Sequence, residues 1–292
     1  RTDVLEFPTF LQIPLEEWVD RIMDWVLDNL GPFFDFLGAV GLQVLLFVEN
    51  VLLLIPWFVV ILIVGYLAWR SLGKWSYGLI MAVMLLLIGS FGYWDMAMRT
   101  LAIVVTAVVI SLVIGIPAGI MMAWSDRFEA IIKPILDAMQ TLPTFVYLIP
   151  ALMLFGLGKV PATFATIIYA VPPVIRLTNV GIREVPKDVI EAARAFGSNR
   201  REILFDVQLP LARPSILVGV NQTTMMALAM VVIGSMIGAR TLGMEVLVAI
   251  NRVEVGQGFE AGISIVFMAI IIDRITHAFA EHEHEAQSKS AE

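Results

Sequence analysis

Few side chains in this 292-residue sequence stand in patterns that could do chemistry, and the absences narrow what that chemistry can be. No GxxxxGK[ST] phosphate-binding loop occurs, because Gly73-Lys74 and Gly158-Lys159 lack the upstream glycine spacing and the following Ser or Thr. No HExxH occurs either, since the histidines stand at 277, 282 and 284. His282-Glu283-His284 offers ligand-type side chains, but nothing nearby completes a ligand set and the hydrophilic tail reads as solvated, so no metal site is expected. The chain has no cysteine, which removes disulfides and thiolate ligands. Neither a catalytic residue nor a resident cofactor is expected. Two features remain: a polar stretch from Glu191 to Pro210, reading EAARAFGSNRREILFDVQLP, and the uncharged polar residues Gln140, Thr141, Asn221, Gln222, Thr223 and Thr224 inside apolar sequence.

The 191–210 stretch reads as helix, break, helix. Residues 187–196 favour helix, and Gly197 can take the left-handed conformation that closes one. Asn199 with Glu202 three residues on matches a capping box for a second helix, which Pro210 is expected to end because proline cannot donate into a continuing helix. Ala192, Ala193 and Ala195 strip bulk from the first helix, so another protein could approach its backbone closely. On these residues alone, a docking element and a plain solvated connection both stand.

What positions these features is a bilayer. The chain is 59% hydrophobic and 15% charged, with a mean hydropathy of +0.86, against about 25% charge in soluble domains. A helix crossing about 30 Å of hydrocarbon needs roughly 20 apolar residues. Residues 51–69, 75–94, 100–125, 138–158 and 214–239 meet that without one Asp, Glu, Lys or Arg. Segment 160–182 is interrupted only by Arg176, and 259–276 carries charge only near its ends, which gives about seven transmembrane helices. Residues 36–48 are too short to cross and read as interfacial or re-entrant. Residues 15–30 are amphipathic, with Leu15, Val19, Ile22, Trp25, Val26 and Leu30 on one face, fit either to lie on the membrane surface or to pack against the chain's own spans.

Lys and Arg concentrate in cytoplasmic loops. The 183–213 loop holds Arg183, Lys187, Arg194, Arg200, Arg201 and Arg213, so it is expected in the cytoplasm together with loops 70–74 and 126–137 and the C-terminus. Residues 1–50, with nine acids against Arg1 and Arg21, are then expected outside. The span centres are almost free of ionisable groups, unlike those of carriers that hold a coupling ion at mid-membrane. The driving energy is therefore expected from another chain.

The 191–210 stretch resembles the EAA loop of ABC-importer permeases, EAA-x3-G-x9-I-x-L-P, departing only at Val207, where the pattern has Ile. The resemblance implies a coupling helix docking on a cytoplasmic ATPase, with Glu191 as polar anchor, Ala192 and Ala193 as the close-contact face, and Gly197 as the turn. Leu209 and Pro210 would redirect the chain into the next span. Further segments are similar to permeases of glycine betaine/proline betaine importers: Asp137–Pro143, Phe145–Pro150, Pro172–Thr178, Asn221–Thr223 and Asp273–Thr276. The likeness runs from about residue 14 to 276.

It implies an all-α, type I importer core and a cell inner-membrane location. The implied partners are a second copy of the permease, two ATPase subunits holding ATP and magnesium, membrane lipid and an extracytoplasmic binding protein on a separate chain, with no nucleic acid. The implied cargo is a compatible solute of the glycine betaine, proline betaine or choline type. The expected organisation is extracytoplasmic helices in 1–50, two scaffold spans in 51–93, a transport core in 94–276 and a cytoplasmic tail in 277–292. Gln140, Thr141, Asn221, Gln222 and Thr223 are candidates for the translocation path, beside the alternative that they hydrogen-bond helix to helix. An ion-coupled carrier or channel is the competing function, and the EAA-like loop argues against it.

Overall fold

A computed structural model describes residues 13–290, with side chains as far as residue 277, so the side chains of His282, Glu283 and His284 lie outside the described residues. Among the described residues every regular element is helical. In chain order these are α1 (Leu15–Leu54), α2 (Trp57–Leu72), α3 (Trp75–Ser90), α4 (Trp94–Trp124), α5 (Asp126–Thr141), α6 (Leu148–Phe155) and α7 (Lys159–Arg183). There follow α8 (Lys187–Ala195), α9 (Arg200–Glu202), α10 (Leu209–Gly234), α11 (Leu242–Arg252) and α12 (Val255–Ser290). Five runs are long and apolar enough to cross a bilayer: α1, α4, α7, the stretch Arg200–Ile237, and α12 as far as His277. The seven stretches expected to span all fall on helices, but three boundaries differ.

First, residues 15–30 and 36–48 are not separate surface helices. They are parts of one 40-residue helix, α1, which continues to Leu54 through Pro32 and stops at Ile55-Pro56. Residues 51–69 are consequently split: 51–54 close α1, Ile55 and Pro56 form the break, and 57–69 belong to α2. Ile55 is extended (φ −70°, ψ 124°), the conformation a following proline imposes. Second, 138–158 is not one straight span. Leu142, before Pro143, is extended (φ −66°, ψ 136°), and the chain bends by 113° between α5 and the segment Thr144–Phe155. Pro117 and Pro172-Pro173, by contrast, lie within the continuous helices α4 and α7. Third, α2 and α3 have 16 residues each, about 24 Å of rise, and pack together as a short hairpin with Gly65 against Gly78.

The centre of the molecule is the packing of α4 and α10 on α7. Gly115 and Gly119, one turn apart on α4, face Val174, Ile175 and Thr178 of α7, while Gly219 of α10 faces Leu177 and Val174. Helices in lipid gain little from burying apolar surface against each other, so small residues that let backbones approach supply the packing instead. The core follows suit, with Ala102, Ala162, Ala165, Ala170 and Ala227 all buried beside Met230 and Val231. A second cluster ties α2 and α3 to α12 and the start of α4, through Met81, Leu85, Ile88, Met98 and Met268.

Candidate functional site

The segment between α7 and α10 is built much as its residues dictate. α8 opens after Pro186 and ends in a tight turn, where Gly197 sits at φ +91° and Ser198 N–H donates to the Ala193 carbonyl (3.0 Å). That is the left-handed closure for which glycine is the default. Asn199 then caps α9, accepting from the N–H groups of Arg201 (2.9 Å) and Glu202 (3.1 Å), while the Glu202 carboxylate accepts from Asn199 N–H (2.7 Å). Glu191, Ala192 and Gly197 are exposed, Ala193 is half-buried, and Phe196 is 92% exposed, so α8 offers its surface outward.

Pro210 does not end the second helix as expected. Residues Ile203–Gln208 form a π turn, and Leu209 N–H reaches back five residues to the Leu204 carbonyl. The widened turn shifts the hydrogen-bond register, so Pro210 falls in the opening turn of α10, where a missing donor is tolerated. Leu209 and Pro210 therefore carry one helical run from Arg200 into the span instead of redirecting it.

The segment is also anchored at its root. Arg183, the last residue of α7, pairs with Asp126 (2.8 Å) and Glu129 (2.9 Å) in the first turn of α5, donates to the Met122 carbonyl of α4 (2.8 Å), and bonds Asn179 (3.0 Å). Acids at a helix start and a cation at a helix end each match the local dipole. One side chain thereby ties the end of α7, just ahead of α8, to α4 and α5. The sequence carried a signal for this cluster in the i, i+3 pair Asp126 and Glu129.

At the opposite ends of α4 and α7, sequence reasoning missed Glu49. The residue is 5% exposed, with both carboxylate oxygens 2.7 Å from Lys159 Nζ and one 3.6 Å from Arg99. Gly38 and Gly41 of α1 lie against Phe155 of α6 and Phe164 of α7, so with the pairing of Glu49 to Arg99 the C-terminal half of α1 docks on the end of α6 and the starts of α7 and α4.

The path candidates are divided. Gln140 and Thr141 are exposed just before the bend, with Thr141 donating to the Ala138 carbonyl (3.0 Å). On α10, Gln222 is exposed and Asn221 donates to Asp273 of α12 (3.3 Å), whereas Thr223 is fully buried. Asn221 Oδ1 and Thr223 Oγ1 are buried with no hydrogen-bond partner among the described residues. Thr224 bonds the Val220 carbonyl (2.8 Å) in its own helix. No described hydrogen bond joins the 140–141 pair to the 221–223 group, and α5 and α10 each pack on α7.

Residues 115–282 match the family model described as the binding-protein-dependent transport system inner membrane component. The glycine betaine/proline betaine transport system permease protein ProW of Escherichia coli (strain K12) is 48% identical over 266 residues, covering 91% of this chain and 75% of that one. The chain belongs to this family. As a binding-protein-dependent transport component it is a multi-pass inner-membrane permease, a transport subunit. The glycine betaine transport system permease protein OpuAB of Bacillus subtilis (strain 168) is 46% identical over 268 residues, covering 91% of this chain and 94% of that one. A chain of the MetNI methionine ABC transporter in an inward-facing conformation superposes with a TM-score of 0.56 at 21% identity, covering 63% of this chain and 92% of that chain. The permease thus has the fold of an ABC importer core.

Proposed function

We propose that two copies of this permease, joined to two copies of a cytoplasmic ATPase, move a compatible solute of the glycine betaine, proline betaine or choline class inward, delivered by an extracytoplasmic binding protein. The observation that carries the reading is the outward-facing α8, whose Glu191, Ala192 and Ala193 precede the left-handed Gly197 on a root pinned by Arg183. Glu191 pairs with no cation among the described residues, which suits an anchor for a partner. The relatives' names, which specify betaine transport, supply the substrate class. In this reading 183–213 faces the cytoplasm, the Ile55-Pro56 break that ends α1 faces outward, and 51–93 serves as scaffold. Gln222, exposed on α10 between Asn221 and the buried Thr223, faces the path or the second copy. ATP and magnesium belong to the ATPase, whose closure pulls α8 and, through Arg183, shifts α4, α5 and α7 between inward- and outward-facing states.

The test is uptake and ATPase retention in two variants. Gly197→Val places a β-branched residue in a left-handed turn, a strain of at least about 1–2 kcal/mol, and should abolish uptake while leaving membrane insertion intact. Glu191→Ala should strip the ATPase or uncouple its hydrolysis. Wild-type uptake and hydrolysis in both variants would refute the assignment.

A further inference from the structure

We propose that the hollow between α8 and the end of α4 binds a phosphate-bearing anion, with the headgroup of an anionic phospholipid as the favoured source. This cavity of about 450 Å³ is lined by Trp124, Arg194, Ser198, Arg200 and Gln208 over an apolar floor that includes Ile190 and Ile203. Two arginines, a serine and a glutamine stand around it, and no acidic residue lines it. The nearby acids Glu191, Glu202 and Asp206 are absent from its walls, and Glu202 is turned to the Asn199 backbone. The side chains of Arg194, Ser198 and Gln208 have no hydrogen-bond partner among the described residues.

Arg200 Cζ lies over the Trp124 ring, 4.7 Å from its centroid, and the guanidinium gives one donor to the Trp124 carbonyl (3.5 Å). A guanidinium has five donors in a planar fork, so those remaining can meet an anion bidentately. Uncompensated cations around a half-apolar hollow fit a phosphodiester better than a carboxylate-bearing peptide, because the floor accepts glycerol and acyl carbons while the rim takes the phosphate. The depth agrees: Trp124 closes a membrane-spanning helix, the level at which aromatic side chains meet headgroups, and basic pockets between helices at that level hold lipid phosphates. An occupant would bridge α8 to α4. On the coupling reading of α8, on which this consequence alone rests, it would set how stiffly α8 moves with the span.

The experiment uses the full chain in nanodiscs of phosphatidylglycerol and phosphatidylcholine, with and without the ATPase, and reads retained lipid by native mass spectrometry. Phosphatidylglycerol should be retained by the wild type. Arg194→Gln and Arg200→Gln should each weaken retention about fivefold, and Arg194→Lys should recover most of it. In discs of phosphatidylcholine alone, radiolabelled inorganic phosphate that binds wild type but not Arg194→Gln would uphold the phosphate site and make the free anion its source. Equal phosphatidylglycerol retention in all variants, with no phosphate bound, would overturn the proposal. Loss of the ATPase from Arg194→Gln with lipid retention unchanged would also overturn it, by assigning the hollow to the partner interface. Retention is read without the ATPase as well, so it stands apart from the role of α8 in coupling.

Discussion

Replacing Glu49 with glutamine keeps the side chain's size and removes its charge, which isolates what the ionic contact contributes to holding α1 on the transport core. Glu49 is nearly sealed from water, and Lys159 Nζ lies 2.7 Å from both of its oxygens. Breaking a fully buried pair by removing one partner costs about 3–5 kcal/mol. Here the cations are only partly enclosed, their side chains being 22% exposed for Lys159 and 32% for Arg99, so water can recover part of the loss. We expect about 2 kcal/mol, which is roughly a thirtyfold rise in the population with α1 detached. Hydrogen exchange over residues 38–54 reads that population directly, and amides there should exchange about thirtyfold faster in Glu49→Gln. The double variant Glu49→Leu with Lys159→Met should exchange close to wild type, because the apolar pair removes the closest ion pair whole and leaves only Arg99, whose side chain is 32% exposed and can turn to water. Unchanged exchange in Glu49→Gln, or a double variant worse than the single one, would refute the idea that this pair fastens α1.

A Cβ on Gly119 would lie 2.6 Å from Thr178 Cβ and 2.7 Å from the Ile175 carbonyl oxygen, so Gly119→Ala must push α4 from α7. A loss of about 1–3 kcal/mol is expected, seen as a lower thermal midpoint in detergent, and no change would contradict the close packing. Topology reporters inserted at the Ile55-Pro56 break and after residue 280 should report the outside and the cytoplasm respectively; the same side for both would overturn the proposed orientation.

How much was legible depended on whether the deciding interaction was local. Gly197 and the Asn199–Glu202 box act over a few residues, and the turn they build was readable from spacing alone. Glu49 was not, because its partners lie 50 and 110 positions away. Counting charge-free runs split an apolar stretch at Glu49 and left 36–48 looking too short to cross, whereas Lys159 and Arg99 neutralise the acid and the helix runs on to Pro56. Prolines differ in what they do to the chain. Pro143 stands at a 113° bend, as a proline within a span can produce, whereas Pro210, expected to stop a helix, is absorbed by a π turn. A proline's effect depends on whether neighbouring turns can rewire their hydrogen bonds, which its own identity does not encode.

The division of labour between this chain and an ATPase is tested most directly in proteoliposomes containing the permease, its ATPase and its binding protein. The chain has no phosphate-binding loop, and α8 faces outward on a root shared by α4, α5 and α7. Uptake of labelled glycine betaine should therefore require ATP enclosed on the ATPase side and be indifferent to imposed proton or sodium gradients. Uptake driven by an ion gradient with no nucleotide present would contradict the account.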